Sequence, residues 1–401
     1  MSSTADVVTT RFGDGLAVGP DLARSAESAV AQAIAPLAGQ RPDLLFVFVC
    51  GDDPAAIEAA GLRAMDVAGA GVTLGCGAGG VIGAGRGVET ERAVSAFAAC
   101  LPGARCTPFQ LELQRTPDGA AVTGMPDRRE DDAVAILLAD PVTFPVAAFV
   151  ERSNDELSGL PLIGGAASGP VESGSARLFM DGRSVPAGAV GVVLGGSVAV
   201  RPVVSQGCRP FGPPMIVTKA EGNLLFELAG TPALTKLEQI VAELGPEDRL
   251  AVTRGLHIGV VMDEYALEHE RGDFLIRGVV GADQEQGAIA IGDFVEVGRT
   301  VRFQVRDASA ADEDLAELFA QFRAESGPVG GALLFSCNGR GRAMFPTADH
   351  DVVAVRDGLA VPGVGGFFAA GEIGPVGGRN YVHGFTASIL TFGAGGLSQG
   401  D

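Results

Sequence analysis

The chain has 401 residues, a formal net charge of −20, 59 glycines and no tryptophan. That length exceeds what one core usually supports and predicts two domains, each with a core of its own. The acidic balance, with no basic cluster to offset it, argues against nucleic acid and anionic lipid surfaces as partners, and glycines and charges interrupt every apolar run before about 18 residues, so no segment reads as a membrane span.

The N-terminal MSSTADVVTTRFGDG has neither a basic start nor an apolar core, which reads as no signal peptide and predicts a cytoplasmic address. Cysteines 50, 76, 100, 106, 208 and 337 lack short paired spacings, so reduced thiols are expected rather than a disulfide framework or zinc knuckles.

In chain order, one pattern recurs: apolar strand, helix, short strand into a glycine turn, second apolar strand. The first copy runs from LLFVFVC at 44–50, through a helix opened by Asp53-Pro54 as N-cap and first helical residue, to VTLGCGAGGVIG and AVSAFAAC at 93–100. The second runs from AVAILLAD at 133–140, with Asp140-Pro141 in the same place, to AVGVVLGG at 189–196. A third has GALLFSC at 331–337, a helix near 349–358 and ASILTF, and a fourth, without a clear helix, spans LHIGVVMD to TVRFQVRD. Between the second and fourth copies, prolines and glycines give way to a helix-like stretch, which puts a domain junction near residue 215. The expected domains are therefore 1–215 and 216–401. A charged helix is expected over 310–325, with Ser309 as N-cap and Leu315, Leu318, Phe319 and Phe322 facing a sheet. The fold class is α/β (mixed α+β): two tandem domains of mixed, largely antiparallel sheets with helices packed on them, built from repeated β-α-β-β units.

Motif by motif, most familiar chemistry is unsupported. Gly75-Cys76-Gly77-Ala78-Gly79-Gly80 matches the dinucleotide fingerprint formally, but no helix pattern follows to hold a pyrophosphate, so a glycine-rich turn is expected instead. No glycine precedes either lysine as a phosphate loop requires, no Gly-x-Ser-x-Gly elbow occurs, and His257, His269 and His350 lack metal-ligand spacing. No catalytic residue, metal or cofactor is assigned.

The tail is different. GGALLFSCNGRGRAMF and VGGFFAAGEIGPVGGRNYVHGFTASILTF place Cys337, Asn338, Arg340, Arg342, Glu372, Arg379, Asn380 and His383 among glycines, a mixture of directed polar groups and closely approachable backbone suited to a small molecule. Arg340 or Arg342 would favour the Cys337 thiolate, against the alternative of a buried small hydrophobe. Strand alternation puts Tyr381, His383 and Phe385 on one face. Glu372 is available to a ligand amine, or equally to an ion pair with Arg379.

Taken in order, LGCGAGGVIGAGRGVETERAVSAFAACLPG, QGCRPFGPPMIVTKAEGN, GDFLIRGVVGADQEQGAIAIGD, SCNGRGRAMF and GFFAAGEIGPVGGRNYVHGFTAS resemble the FIST family, the FIST N and FIST C sensory domains of bacterial signalling proteins and some F-box proteins. The resemblance implies a tandem intracellular sensory module for small ligands such as amino acids, without established catalysis, acting through a separate signalling partner. The ligand-binding residues expected are Cys337, Asn338, Arg340, Glu372, Arg379, Asn380, His383 and Gly371, with Cys76 and Gly77 from the first glycine turn. Arg379 or Arg340 would hold a carboxylate and Glu372 an ammonium group. Two alternatives compete: an enzyme with Cys337 as nucleophile and His383 as base, and a non-sensing adaptor whose glycine turns form a partner surface.

Overall fold

The run LLFVFVC forms the strand Leu44–Cys50, all seven residues of which are buried. Such a strand is apolar on both faces because both are covered: Phe46 and Phe48 join one core, while Leu45, Val47 and Val49 pack under the helices Leu22–Ile34 and Pro54–Ala68. Asp53 caps the second helix, accepting from the Ala55 N–H at 3.0 Å, with Pro54 in the first turn. The chain then forms Val72–Ala78, parallel to Leu44–Cys50, a hairpin of Gly80–Gly83 and Arg86–Glu89, and Ala93–Cys100, which returns antiparallel to Leu44–Cys50. The computed structural model describes residues 9–117, 119–157, 159–170, 176–266, 269 and 272–395.

The same order occurs twice more. In the second repeat, Asp132–Ala139, the helix Val146–Glu156 and the parallel strand Leu162–Ala166 lead to the hairpin Leu178–Met180/Arg183–Val185 and the antiparallel Ala189–Gly196. In the third, Val329–Cys337, the helix His350–Leu359 and the parallel Val364–Ala369 lead to Glu372–Val376/Arg379–His383 and the antiparallel Thr386–Gly393. The hairpins are exchanged in a cycle. That of the first repeat extends the third sheet, that of the second extends the first, and that of the third extends the second. All three sheets consequently share one strand order, each finished on its other side by Arg11–Val18, Ala104–Thr116 or Val200–Gln206. Phe46 and Phe48, Ile136 and Leu138, and Leu333 and Phe335 contribute the equivalent faces of their strands to one common core.

The fourth expected copy is not a repeat. Leu256–Val261, Phe274–Asp283, Ala288–Ile291 and Thr300–Arg306 pair antiparallel throughout. With Cys208–Glu221 and Leu224–Leu228 they close on themselves, because Cys208–Glu221 pairs with both Thr300–Arg306 and Leu224–Leu228. Closure removes the exposed edges of the sheet, and Phe211, Val217, Leu225, Ile258, Ile289 and Phe303 are among the residues that fill the interior.

Two compact units result. One comprises the chain up to Val204, Leu315–Val382 and the chain from Thr386; the other comprises Ser205–Asp314 with His383–Phe385. The barrel unit thus interrupts the third repeat, and residue 215 lies within the strand Cys208–Glu221. The charged helix starts earlier than expected, spanning Ala308–Glu325. Ser309 lies inside it, and Asp307 supplies the cap by accepting from the Ala310 N–H at 3.1 Å. Leu315, Phe319 and Phe322 are buried as expected, while Leu318 is half-buried. Asp140 does not cap a helix: its carboxylate accepts from the Val142 N–H at 3.0 Å and the Thr143 hydroxyl at 2.6 Å, an Asx turn that delays the helix to Val146.

Candidate functional site

The three repeats differ most where the first strand hands over to its helix. The connection is residues 51–53 in the first, 140–145 in the second and 338–349 in the third, at the carboxyl end of a parallel strand pair, where sheets of this kind bind ligands. Cys337 ends its strand buried, with the Gly339 N–H 3.4 Å from Sγ. Asn338 is exposed, its N–H donating to the Ala369 carbonyl at 2.9 Å. Arg340 is wholly buried and grips Asp351 bidentately, Nε to Oδ2 at 2.7 Å and Nη2 to Oδ1 at 2.8 Å. The Ser336 hydroxyl donates to Oδ2 at 2.6 Å, and His350 Nδ1 lies 2.9 Å from Oδ1. Burial alone would raise the Asp351 pKa, but the charge and hydrogen bonds of Arg340, with His350 and Ser336, hold it far below the ordinary carboxylate range. Phe345 stacks on the His350 ring at 3.4 Å and lies 5.3 Å from the Arg340 guanidinium.

Glu372, at the start of its hairpin, is also wholly buried. Its Oε2 accepts from the Thr386 N–H at 3.1 Å and hydroxyl at 2.9 Å. Oε1 receives no N–H or O–H among the described residues, and the Cys337 thiol, a weak donor, lies against the carboxylate. Burial raises the Glu372 pKa to about 8 against the opposing pull of Thr386, Cys337 and Arg340.

The other expected residues are dispersed. Arg379 is exposed beside Gly377 and Gly378 at the hairpin tip, whereas Glu372 starts the hairpin, roughly 13 Å away at about 3.3 Å per residue. They share neither an ion pair nor a site. Asn380 is buried as a clamp on the second repeat: Oδ1 accepts from the Leu162 N–H at 2.8 Å, Nδ2 donates to the Leu160 carbonyl at 3.0 Å, and its backbone N–H donates to Asn154 Oδ1 at 2.7 Å. Gly371 has φ +140° and its carbonyl accepts from the Ala166 N–H at 2.8 Å. Cys76 is core, its thiol pKa driven upward by burial, and the Gly77 N–H donates to the Arg177 carbonyl at 2.7 Å. His383 is buried at the end of its strand and falls with the barrel unit, as does Phe385, which leaves the expected ring face with φ +61° and packs edge-on against His257 at 4.1 Å. The glycines do not all leave room: a Cβ on Gly365 would meet Phe97 at 2.6 Å, and one on Gly366 the Leu334 carbonyl at 1.8 Å. Two hollows lie away from the cluster, one of about 170 Å³ against Thr107, Asp127, Arg129 and Asp132, and one of about 10 Å³ against Phe12, Val198 and Phe392.

Sequence reasoning missed Ser336, His350, Asp351 and Thr386. Asp351 was open to discovery, because a buried arginine requires a carboxylate and HDVVAV offers one on an otherwise apolar helix face.

Register shows which of these groups the fold itself requires. Ser336 pairs with Ala387, as Val49 pairs with Val94 and Ala139 with Ala189. Thr386, one residue before Ala387, therefore corresponds to Ala93 and Gly188. Glu372 lies opposite Gly165, Leu178 opposite Cys76 and Val81 opposite Phe367, so Glu372, Leu178 and Val81 occupy one position in the cycle. Two repeats build the same strand junction with Val49 or Ala139, Ala93 or Gly188, and Val81 or Leu178. Only the third replaces these with the hydroxyls of Ser336 and Thr386 and the carboxyl of Glu372, whereas Cys337 corresponds to Cys50 and to the buried Asp140.

A FIST N domain model matches residues 43–231 and a FIST C domain model residues 233–375. The chain belongs to the FIST family. FIST domains are sensory domains of signalling proteins, and the two models meet within the barrel unit. Among its relatives, an uncharacterized protein of Mycobacterium tuberculosis is 45% identical over 386 residues, covering 95% of this chain and 99% of the relative. An uncharacterized protein of Mycobacterium bovis is 43% identical over 386 residues, covering 95% and 98%. No helix among the described residues of this FIST protein is long and apolar enough to cross a membrane.

Proposed function

We propose that this FIST protein is a sensor whose small polar ligand, an amino acid or related metabolite, binds at the third repeat among Cys337, Arg340, Glu372 and Thr386, and that it signals through a separate protein. One observation carries the reading: Ser336, Thr386 and Glu372 are buried where the other two repeats have apolar residues or glycine, so the shared fold does not require them. Buried ionisable groups destabilise unless paired, and their retention at the carboxyl end of parallel strands marks a functional position. Arg340 serves this site through Asp351, fixing the long connection that covers it. Arg379, Asn380, Cys76 and Gly77 are not carried into the site.

The cluster is closed over, so a ligand enters by displacing the 338–344 turn, and closing that turn again couples occupancy to the surface a partner reads. Differential scanning fluorimetry with amino acids, organic acids and amines tests the proposal. Ligands of this site should raise the melting temperature of the parent protein, and Glu372→Gln and Thr386→Val should abolish the shift. Equal shifts in parent and variants would place binding elsewhere.

A further inference from the structure

Charge accounting within the cluster narrows the ligand further, and it rests on the site proposed above. Arg340 is the cationic side chain in the cluster and its guanidinium is engaged bidentately by Asp351, so its positive charge is already matched. Glu372 is the second carboxylate, fully buried, with Oε2 held by two donors from Thr386 and Oε1 lacking any N–H or O–H. With Glu372 ionised, the site is thus short of one positive charge and of a strong hydrogen-bond donor at a defined atom. A compact ammonium group supplies both at once, since it carries up to three N–H donors on a single centre. The other half of an amino acid finds no such complement. Arg340 is engaged by Asp351, and Arg379 sits exposed at the far end of the hairpin. An α-carboxylate brought to Glu372 would add a third negative group beside two carboxylates and one guanidinium.

We propose that the third-repeat site selects a small primary amine without a carboxylate, its ammonium donating to Glu372 Oε1 beside the Cys337 thiol. Size follows from the packing. Glu372 is fully buried with Thr386 and Cys337 against its carboxylate, which suits an amine of one or two carbons rather than a polyamine.

Binding is linked to protons with a definite sign. Burial raises the Glu372 pKa to about 8, so below that pH the empty site holds a neutral carboxyl, which must release its proton before it can accept from an ammonium. Affinity should rise with pH toward 8, approaching about tenfold per unit below the Glu372 pKa.

Isothermal titration with methylammonium chloride, run at matched ionic strength beside glycine and tetramethylammonium, tests the inference. Glycine is methylamine with a carboxylate added, and tetramethylammonium is a cation without donors. The expected result is saturable binding of methylammonium that strengthens from pH 6 to pH 8 and is lost in Glu372→Gln, with at least tenfold weaker binding of the other two. Glycine binding as tightly as methylammonium, in a Glu372-dependent manner, would overturn the amine assignment while leaving the site reading intact. Tetramethylammonium binding equally would show a nonspecific cation effect and overturn it as well. If no probe binds in a Glu372-dependent way, a water satisfies Oε1 and both proposals fall.

Discussion

At the scale of single residues, the Arg340–Asp351 pair and Glu372 pose opposite electrostatic problems. The pair is desolvated but matched, so removing one partner strands the other. Arg340→Met should cost about 3–5 kcal/mol in urea unfolding, and Arg340→Met combined with Asp351→Leu should recover much of that. A double variant as unstable as the single would mean that the arginine's other contacts, not charge pairing, carry the effect. Asp351, whose folded pKa is depressed, stabilises the protein above its ordinary value of 3.8, and that contribution is lost as the pH falls below it. Glu372 behaves inversely. Its folded pKa of about 8 lies above the ordinary 4.5, so it favours the folded state below pH 4.5 and that contribution disappears as pH rises through 8. Glu372→Gln should therefore flatten the pH dependence and leave the variant more stable than the parent at pH 9. A variant less stable than the parent at that pH would mean that the carboxylate is ionised and paired in the folded protein. The sequence placed Cys337, Arg340 and Glu372 among polar groups worth attention. It did not separate Arg340 from Arg379, because adjacency among glycines says nothing of which end of a hairpin a side chain occupies.

At the scale of elements, the exchanged hairpins tie the three sheets together, and each depends on contacts outside its own repeat. Asn380 is the clearest anchor, joining the third hairpin to Leu160, Leu162 and Asn154 of the second repeat. Asn380→Ala should cost about 1–3 kcal/mol for the stranded backbone groups. Hydrogen exchange across Glu372–Val376 and Arg379–His383 should accelerate more than in Leu44–Cys50. Uniform acceleration over the whole unit would mean that the hairpin is not an independently loosened element. The strands, the Asp53 cap and the charged helix were legible because periodicity and cap chemistry are local. The exchange was not, because a hairpin's sequence records its turn and its alternation but not which sheet edge accepts it.

At the scale of the whole molecule, repetition separates what the architecture needs from what it carries in addition. Three copies were visible as a recurring order of apolar strands, helices and glycine turns. The fourth was misread because antiparallel barrel strands share the same apolar, glycine-punctuated texture. The barrel unit closes its own sheet around its own core, so residues 205–307 expressed alone should unfold cooperatively and give a dispersed amide spectrum. A collapsed, poorly dispersed spectrum would show that it borrows stability from the rest of the chain. The same repetition supplies the controls for the central claim that the third strand junction alone is a ligand site. Amide chemical shifts of the intact protein, followed while methylammonium is titrated at pH 8, address it most directly. The account predicts perturbations concentrated at Ser336, Cys337, Glu372 and Thr386, with Val49, Cys50, Val81 and Ala93 unmoved. Shifts of equal size at both sets, or none at the first, would contradict it.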